Sequence, residues 1–180
     1  MSALKKLRIA LIVVAIVVAL VPGVIHVISR TSGGEGTLEA IGSYLKGDVM
    51  GEIGKRYSTK WFQFTVKSVE KKQEYAGYKA DDENILVDVV VTERCTFDET
   101  TDMSKDDFYL DAESFPDYIY PVDPLDDSMM PLEFQLEPKE EREYHMLYEI
   151  PADTTGLKLV YIELDVEGNI GATFTINVSD

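Results

Sequence analysis

Alternating apolar and polar positions run through most of the chain after residue 60 and predict β-strands. In a strand, every second side chain faces the same side, so a half-buried strand alternates between apolar and polar residues. The strongest such pattern has one apolar face made of Ile85, Val87, Val89 and Val91. Its second face is partly apolar too, because it carries Leu86 and Val90. We therefore expect this strand to be central in a sheet.

Further segments have weaker or shorter strand patterns, which brings the prediction to about seven strands. They are residues 49–53, 62–66, 107–110, 118–120, 144–150 and 172–178, and residues 157–164 are apolar on both faces. No long helical pattern separates them, and parallel neighbours need a crossover connection, usually a helix. The pattern thus predicts an all-β fold, an antiparallel β-sandwich occupying residues 47–180.

The start of the chain has a different character. Residues 9–28 contain no charge, and at 1.5 Å per residue a helix of this length spans about 30 Å, one hydrocarbon core. Lys5, Lys6 and Arg8 precede it, so the positive-inside rule places residues 1–8 in the cytoplasm and the C-terminal domain outside the cell. A cleaved secretory signal is the alternative. We favour a retained single-pass anchor in the cell membrane, since no small-residue cleavage site follows.

Charge separates the two parts of the chain further. The net charge is −16, and all 33 acidic residues follow Arg30. Such a chain lacks the clustered Lys and Arg that phosphate backbones require, which excludes nucleic acid as a partner. Residues 29–46 form the predicted linker, with a glycine-rich spacer followed by a short helix whose apolar positions are Leu38, Ile41 and Leu45.

Several strand segments together resemble a family of bacterial surface proteins of unknown function. They are WFQFTV at 61–66, YKAD at 78–81, ILVDVVV at 85–91, DFYL at 107–110 and YEIPAD at 148–153. The resemblance implies an immunoglobulin-like sandwich related to the mycobacterial immunoprotective extracellular antigen, exported behind a signal segment or lipoprotein signal. It implies no catalytic or binding residues. The chain departs from the lipoprotein form because no cysteine follows the apolar segment.

Acidic residues are densest between Asp81 and Asp127, with sixteen acids against Arg94 and Lys105. Loops between strands can supply the six to eight oxygens that Ca²⁺ takes in extracellular modules. The calcium candidates are Asp98, Asp102, Asp106, Asp107 and Asp123. None of them fits the acidic-loop calcium motif. A solvated acidic face that keeps the domain soluble is the favoured interpretation, with calcium as the alternative cofactor.

Catalytic patterns are weak. Paired carboxylates could serve a cell-wall hydrolase, which is the least favoured function because nothing in the sequence marks a substrate groove. The Gly-x-Ser-x-Gly nucleophile motif is absent, and His145 lies in mid-strand. We therefore predict no enzyme activity and no cofactor. The predicted function is a non-catalytic binding or structural module whose partner is a protein or another cell-surface ligand.

Three kinds of residue leave two readings open. Cys95 falls on the core face of the strong strand, where a free thiol packs as a small hydrophobe, or it joins exported copies through a disulfide. Trp61 either packs over a sandwich edge or marks a partner site. The tyrosines suit recognition surfaces and strands equally, so a tyrosine-lined face cannot be located from sequence.

Overall fold

A computed structural model describes residues 47–164 and 168–179. The chain divides into two units, residues 1–37 and 38–180, and every described residue belongs to the second. The predicted cytoplasmic segment 1–8, membrane segment 9–28 and linker 29–46 therefore lie outside the described residues. Within the described ranges, no helix has the length and hydrophobicity to cross a bilayer.

The described residues form β-strands joined by loops and one 3-10 turn, Lys105–Asp107. The strands are β1 (Gly47–Gly51), β2 (Arg56–Ser58), β3 (Phe62–Lys72), β4 (Glu74–Tyr75), β5 (Tyr78–Lys79), β6 (Asn84–Cys95), β7 (Thr101–Ser104), β8 (Phe108–Ala112), β9 (Phe115–Ile119), β10 (Glu133–Leu136), β11 (Glu141–Pro151), β12 (Lys158–Leu164) and β13 (Ile170–Asn177). All of the predicted strand segments are present, and β2, β4, β5, β7 and β10 were not predicted.

Two main sheets make up the sandwich. The four-stranded sheet has the order β11-β6-β3-β2, and all its pairs are antiparallel. The predicted central position of β6 is confirmed, since it pairs on both sides. The five-stranded sheet has the order β1-β13-β12-β8-β9. Two small ribbons, β4-β5 and β7-β10, complete the described strands.

The expectation of a purely antiparallel sandwich is wrong at one edge. Strand β1 runs parallel to β13, with Gly47 opposite Ala172 and Gly51 opposite Ile176. The sequence argument excluded parallel pairs because no crossover helix was present. Here the connection between the two parallel strands is almost the entire domain, so no dedicated helix is needed.

The inner faces of the two sheets form one apolar core. Phe62, Phe64 and Val66 on β3 face the same side as Val87, Val89 and Val91 on β6. The opposite sheet contributes mainly Phe108, Leu110, Leu159, Tyr161, Phe174 and Ile176. Phe64 lies within 6 Å of both Phe108 and Phe174 by ring centroids, in edge-on contacts that aromatic pairs favour.

A second, smaller apolar cluster covers the outer face of the four-stranded sheet. Leu86 and Leu147 are buried there together with Met129, and Tyr75, Tyr78 and Val122 pack against them. The β4-β5 ribbon and the segment before β10 thus cover this face. The cover explains why β6 is apolar on both sides, with Leu86 fully buried.

Candidate functional site

A cavity of about 380 Å³ opens at one end of the sandwich. The start of β3, the loop between β6 and β7, the 3-10 turn and the end of β12 surround it. Its walls are formed by Trp61, Phe62, Phe97, Glu99, Thr100, Thr101, Asp102, Met103, Asp107, Tyr161, Ile162 and Leu164. This volume falls in the range of small-molecule sites.

The loop between β6 and β7 forms one side of this cavity and is fastened to the core by Cys95. The thiol lies 3.6 Å from the backbone oxygens of Phe97 and Glu99 and 3.5 Å from Thr101 Oγ1. Cys95 is only 1% exposed, which confirms the expectation of a buried thiol. The contacts of Cys95 also hold the loop that carries Phe97 against the core.

Trp61 and Phe97 form an aromatic corner of the cavity. Their ring centroids are 5.5 Å apart in an edge-on arrangement. The indole Nε1 donates a hydrogen bond to the Leu164 carbonyl oxygen at 3.3 Å, which ties β3 to the opposite sheet. Lys60 Nζ lies 4.7 Å from the centroid of the Trp61 ring. Trp61 therefore packs at the sandwich edge and lines an opening at the same time.

Asp107 supplies a carboxylate to the cavity. Its Oδ2 accepts a hydrogen bond from the Ser104 backbone N–H at 2.9 Å, which completes the capping of the 3-10 turn. Desolvation raises the pKa of Asp107, while the Ser104 hydrogen bond lowers it and the charge of Asp106 raises it. Asp102 lines the cavity as well, and its Oδ1 accepts from Gln135 Nε2 at 2.9 Å.

Glu93 is a carboxyl group in the core without a hydrogen-bond partner. It stands in the core-facing row of β6 between Val91 and Cys95 and opposite Phe64 on β3. The residue is 0% exposed, and neither carboxyl oxygen has a partner. Burial raises the pKa of Glu93 to about 8, and the charge of Asp107 adds to the rise. An unpaired buried carboxyl is costly, so it needs a physical reason.

Tyr161 connects Glu93 to the cavity wall. Burial raises the pKa of the Tyr161 hydroxyl, and the charges of Asp107, Glu163 and Glu93 add to the effect in that order. Phe62, next to Glu93 on the inner face, lines the same wall. Glu93 is not among the residues that line the cavity, but Phe62, diagonal to it on β3, and Tyr161, whose hydroxyl its charge affects, both line it.

Glu163 is a second buried acid at this end of the sandwich, after Glu93. Its Oε2 accepts a hydrogen bond from the Lys60 backbone N–H at 2.5 Å. Burial raises its pKa, and the Lys60 hydrogen bond opposes the rise. Unlike Glu93, this carboxylate has a partner and links the start of β3 to β12.

The predicted calcium candidates do not gather at one point. Asp98 lies on the exposed loop between β6 and β7, and Asp102 and Asp107 line the cavity. Asp106 and Asp123 meet at a lysine instead: the buried Lys105 Nζ lies 2.8 Å from Asp106 Oδ1 and 3.5 Å from Asp123 Oδ1. Across residues 47–164 and 168–179, no group of three or more Asp, Glu, His or Cys side chains is arranged to hold a metal ion.

His145 lies on the outer face of the four-stranded sheet and contacts a buried acid. Its Nδ1 is 2.8 Å from Asp88 Oδ1, and Lys72 Nζ donates to Asp88 Oδ2 at 2.5 Å. The hydrogen bond to Asp88 is the main cause that raises the pKa of Lys72. Tyr75 packs against the His145 ring with centroids 5.7 Å apart. The group is closed by its own members and faces no cavity that the structure describes.

Three tyrosines form a group on the outer face of the five-stranded sheet, in which Tyr118 and Tyr120 are exposed and Tyr109 is buried. The Tyr109 ring centroid is 4.3 Å from that of Tyr118 and 6.0 Å from that of Tyr120. Burial raises the pKa of Tyr109 to about 12, and Tyr118 adds to the effect. Tyr144, Tyr148 and Tyr161 belong to the core. The sequence could not separate these two classes.

The sequence analysis missed Glu93, although the signal was present. The residue follows Val91 by two positions and precedes Cys95 by two, so the alternation that placed those residues in the core placed Glu93 there too. Lys105 was overlooked for the opposite reason. Nothing in the alternation marks a lysine in a turn as buried, because its contacts with Asp106 and Asp123 come from tertiary structure.

The fold defines the chain as an all-β protein, a sandwich of two main sheets. No protein-family profile matches it, and no curated protein does. Among solved structures it is similar to the presumed lipoprotein YcdA from Bacillus subtilis, with TM-score 0.54 and 18% identity over 69% of this chain and 39% of YcdA. It is also similar to the YjhA protein from Bacillus subtilis, with TM-score 0.53 and 14% identity over 72% of this chain and all of YjhA.

An uncharacterized β-sandwich protein from Clostridium difficile 630 matches with TM-score 0.47 and 12% identity, over 72% of this chain and 95% of that one. The match to YcdA covers less than half of that protein's length. At these identities the likeness to YcdA and YjhA concerns the fold alone. The resemblance to a family of bacterial surface proteins stays a prediction.

Proposed function

We propose that this chain is a membrane-anchored, immunoglobulin-like module at the outer surface of a bacterial cell, and that it binds a ligand without catalysis. The observation that carries the binding function is the cavity at the sandwich end. It combines aromatic walls, two lining aspartates and an unpaired buried carboxyl behind the wall. A core that only needed stability would place an apolar residue at position 93.

The order of the strands supports an immunoglobulin-like sandwich. In that fold, strands A, B and E share one sheet and strands C, F and G the other. Strands β3, β6 and β11 match A, B and E in chain order and in spatial order. Strands β8, β12 and β13 match C, F and G in the same way.

Anchoring by residues 9–28 rests on their uncharged composition and on the basic residues before them. The fold similarity to a presumed lipoprotein agrees with a surface location. A lipid anchor on this chain is disfavoured, since its single cysteine, Cys95, is buried in the domain core. In this proposal, residues 9–28 themselves anchor the chain in the membrane.

A hydrolase is the second candidate, favoured by one observation. Asp102 and Asp107 line the same opening, and the pKa of Asp107 is raised by desolvation, as a general acid requires. We favour binding because both carboxylates already have structural hydrogen-bond partners and the buried Glu93 does not line the cavity. Release of sugars from purified cell wall, lost in Asp107→Asn, would reverse this preference.

Orientation is tested by labelling intact cells with a membrane-impermeant maleimide. We expect Ser32→Cys, in the glycine-rich spacer, to be labelled from outside. Ser2→Cys, in the cytoplasmic segment, should react only after permeabilisation. The unaltered chain provides the background, which should be low because Cys95 is buried. Protection of position 32 in intact cells together with labelling after permeabilisation would refute the export proposal.

A further inference from the structure

We propose that the cavity at the sandwich end binds a small organic ammonium ion, held by aromatic faces and by acidic countercharge. This inference rests on the proposed binding function and names its ligand class. Three independent features of the cavity point to a cation, namely the charge of its lining, the aromatic groups in its walls and the unpaired acid behind them.

The lining has one sign of charge. Among the described residues that surround the opening, Glu99, Asp102 and Asp107 are acidic and none is basic. A cleft walled by one sign of charge, with apolar surfaces behind it, concentrates ions of the opposite sign. An anionic ligand would meet repulsion from all three carboxylates, so the cavity selects a cation or a neutral molecule.

The walls offer the surfaces that organic cations prefer. Trp61, Phe62, Phe97 and Tyr161 line the opening, and because Phe62 and Tyr161 are only 1% and 7% exposed, Trp61 and Phe97 offer most of the accessible ring surface. Ammonium groups bind aromatic faces through the ring quadrupole, most strongly that of tryptophan, and quaternary ammonium ligands are recognised in this way. The chain already makes one such contact, because Lys60 Nζ lies 4.7 Å from the centroid of the Trp61 ring.

Glu93 supports a cation site independently of the acidic lining. It is fully buried, without any hydrogen-bond partner, and it interacts electrostatically with Asp107 and Tyr161, which both line the cavity. Arg142, opposite Glu93 on β11, directs its guanidinium to Glu140 and Tyr144 instead, so a bound cation beside that wall would bring the carboxyl an additional opposite charge. Binding of a cation would thus account for Glu93, a buried acid that lowers the stability of the fold.

A bare metal ion fits less well than an organic cation. The described residues contain no cluster of three metal-ligating side chains, and the aspartates of the cavity are engaged with Ser104 and Gln135. Aromatic walls contribute little to binding a hydrated metal ion, which keeps its water shell. They suit a methylated or alkylated ammonium group.

Choline tests the proposal, with 3,3-dimethylbutan-1-ol as its neutral isostere. Trp61 is the only tryptophan in the chain, so its fluorescence reports directly on the cavity. The full-length protein is titrated in an uncharged maltoside detergent, because phosphocholine detergents carry the probe cation. We expect saturable binding of choline and at least tenfold weaker binding of the alcohol. Equal affinities, or no saturable choline signal, would overturn the proposal.

Variants separate countercharge from aromatic contact. Asp102→Asn should weaken choline binding about threefold to tenfold, while Asp98→Asn, which removes the same charge from an exposed loop position that does not line the cavity, should leave it within twofold. Phe97→Leu keeps apolar bulk and removes a ring, so we expect about threefold to fivefold weaker binding. Glu93→Gln should also weaken it, in a protein at least as stable as the parent.

Equal losses in Asp98→Asn and Asp102→Asn would show that only net charge matters and would refute a defined site. Displacement of choline by millimolar calcium, with magnesium without effect, would assign the cavity to a metal instead. The outcome is distinguishable from the export proposal, because labelling in cells does not depend on choline. A chain that faces the cytoplasm could still bind choline in detergent, and an exported chain could fail to bind it.

Discussion

Two buried acids on the same strand, Asp88 and Glu93, meet opposite environments. Asp88 faces outward, is 1% exposed, and is held by Lys72 and His145. Glu93, five positions later, faces inward and has no partner. The first is a satisfied charge that links the strands β3, β6 and β11 of one sheet. Glu93 lowers stability at neutral pH. Comparing the two acids distinguishes a charge that stabilises the fold from one that the fold does not need.

The largest expected effect concerns Glu93 and pH. Because the folded pKa of Glu93, about 8, lies above the ordinary value of 4.5 for a glutamate, the folded state holds a proton that the unfolded state has lost between these two pH values. The free energy of unfolding therefore falls with rising pH by about 1.4 kcal/mol per pH unit in this window. Below pH 4.5 the contribution of Glu93 is complete, and above pH 8 it is lost.

Urea unfolding of the full-length protein at pH 5 and pH 8 measures this effect. Asp107 and Glu163 also have raised pKa values, so the parent loses stability from several groups. Glu93→Gln should remove the Glu93 share, on the order of 4 kcal/mol between the two pH values. Asp98→Asn, on an exposed loop, should keep the parent's slope. A Glu93→Gln slope equal to the parent's would mean that Glu93 is not a buried acid.

A smaller effect is expected from Asp88. Asp88→Asn removes the charge that faces Lys72 and His145, and we expect a loss of about 1–3 kcal/mol in the free energy of unfolding at pH 7. The partners are 30% and 31% exposed, which lets water compensate part of the loss. Glu70→Gln is the matched control, since Glu70 approaches the same Lys72 ammonium at 3.2 Å on the surface.

That control should change stability by less than about 0.5 kcal/mol, as for ordinary surface ion pairs. Chemical denaturation with both variants side by side gives the comparison. If Asp88→Asn and Glu70→Gln cost the same, the buried position of Asp88 contributes nothing, and the contrast with Glu93 fails.

The smallest expected effect is that of calcium. Lys105 brings its own ammonium to Asp106 and Asp123, so these acids resemble Asp88 in having an internal partner. A typical extracellular calcium site would add about 1–2 kcal/mol at about 5 mM Ca²⁺. We expect a change in melting temperature below about 1 °C relative to magnesium at equal ionic strength. A calcium-specific rise would restore the metal-dependent alternative.

Alternation predicted the long strands because their inner faces are buried in one continuous core. Strand β3 extends beyond the predicted residue 66 since a bulge between Val66 and Ser68 absorbs one residue, after which Val69 pairs with Val89. A reading by strict alternation stops at Lys67. The ribbons β4-β5 and β7-β10 could not be predicted, because strands of two to four residues show no period.

The candidate site was less predictable than the fold. Acidic composition drew attention to residues 98–127 as potential ligands, yet the cavity also depends on Trp61, Phe97 and Tyr161, which lie on three separate segments. Only the packing of the two sheets brings those rings together. Glu93 alone could have been found, by asking why an acid interrupts an apolar row.

The parallel pairing of β1 with β13 bears on the order in which the domain is completed. A ribosome makes residues 47–51 more than a hundred positions before residues 172–176, their ladder partners. Until the last strand emerges, the first has no neighbour to bond with and must wait. The β1 edge of this sheet therefore closes last, and a chaperone that binds nascent chains would find an unpaired strand there.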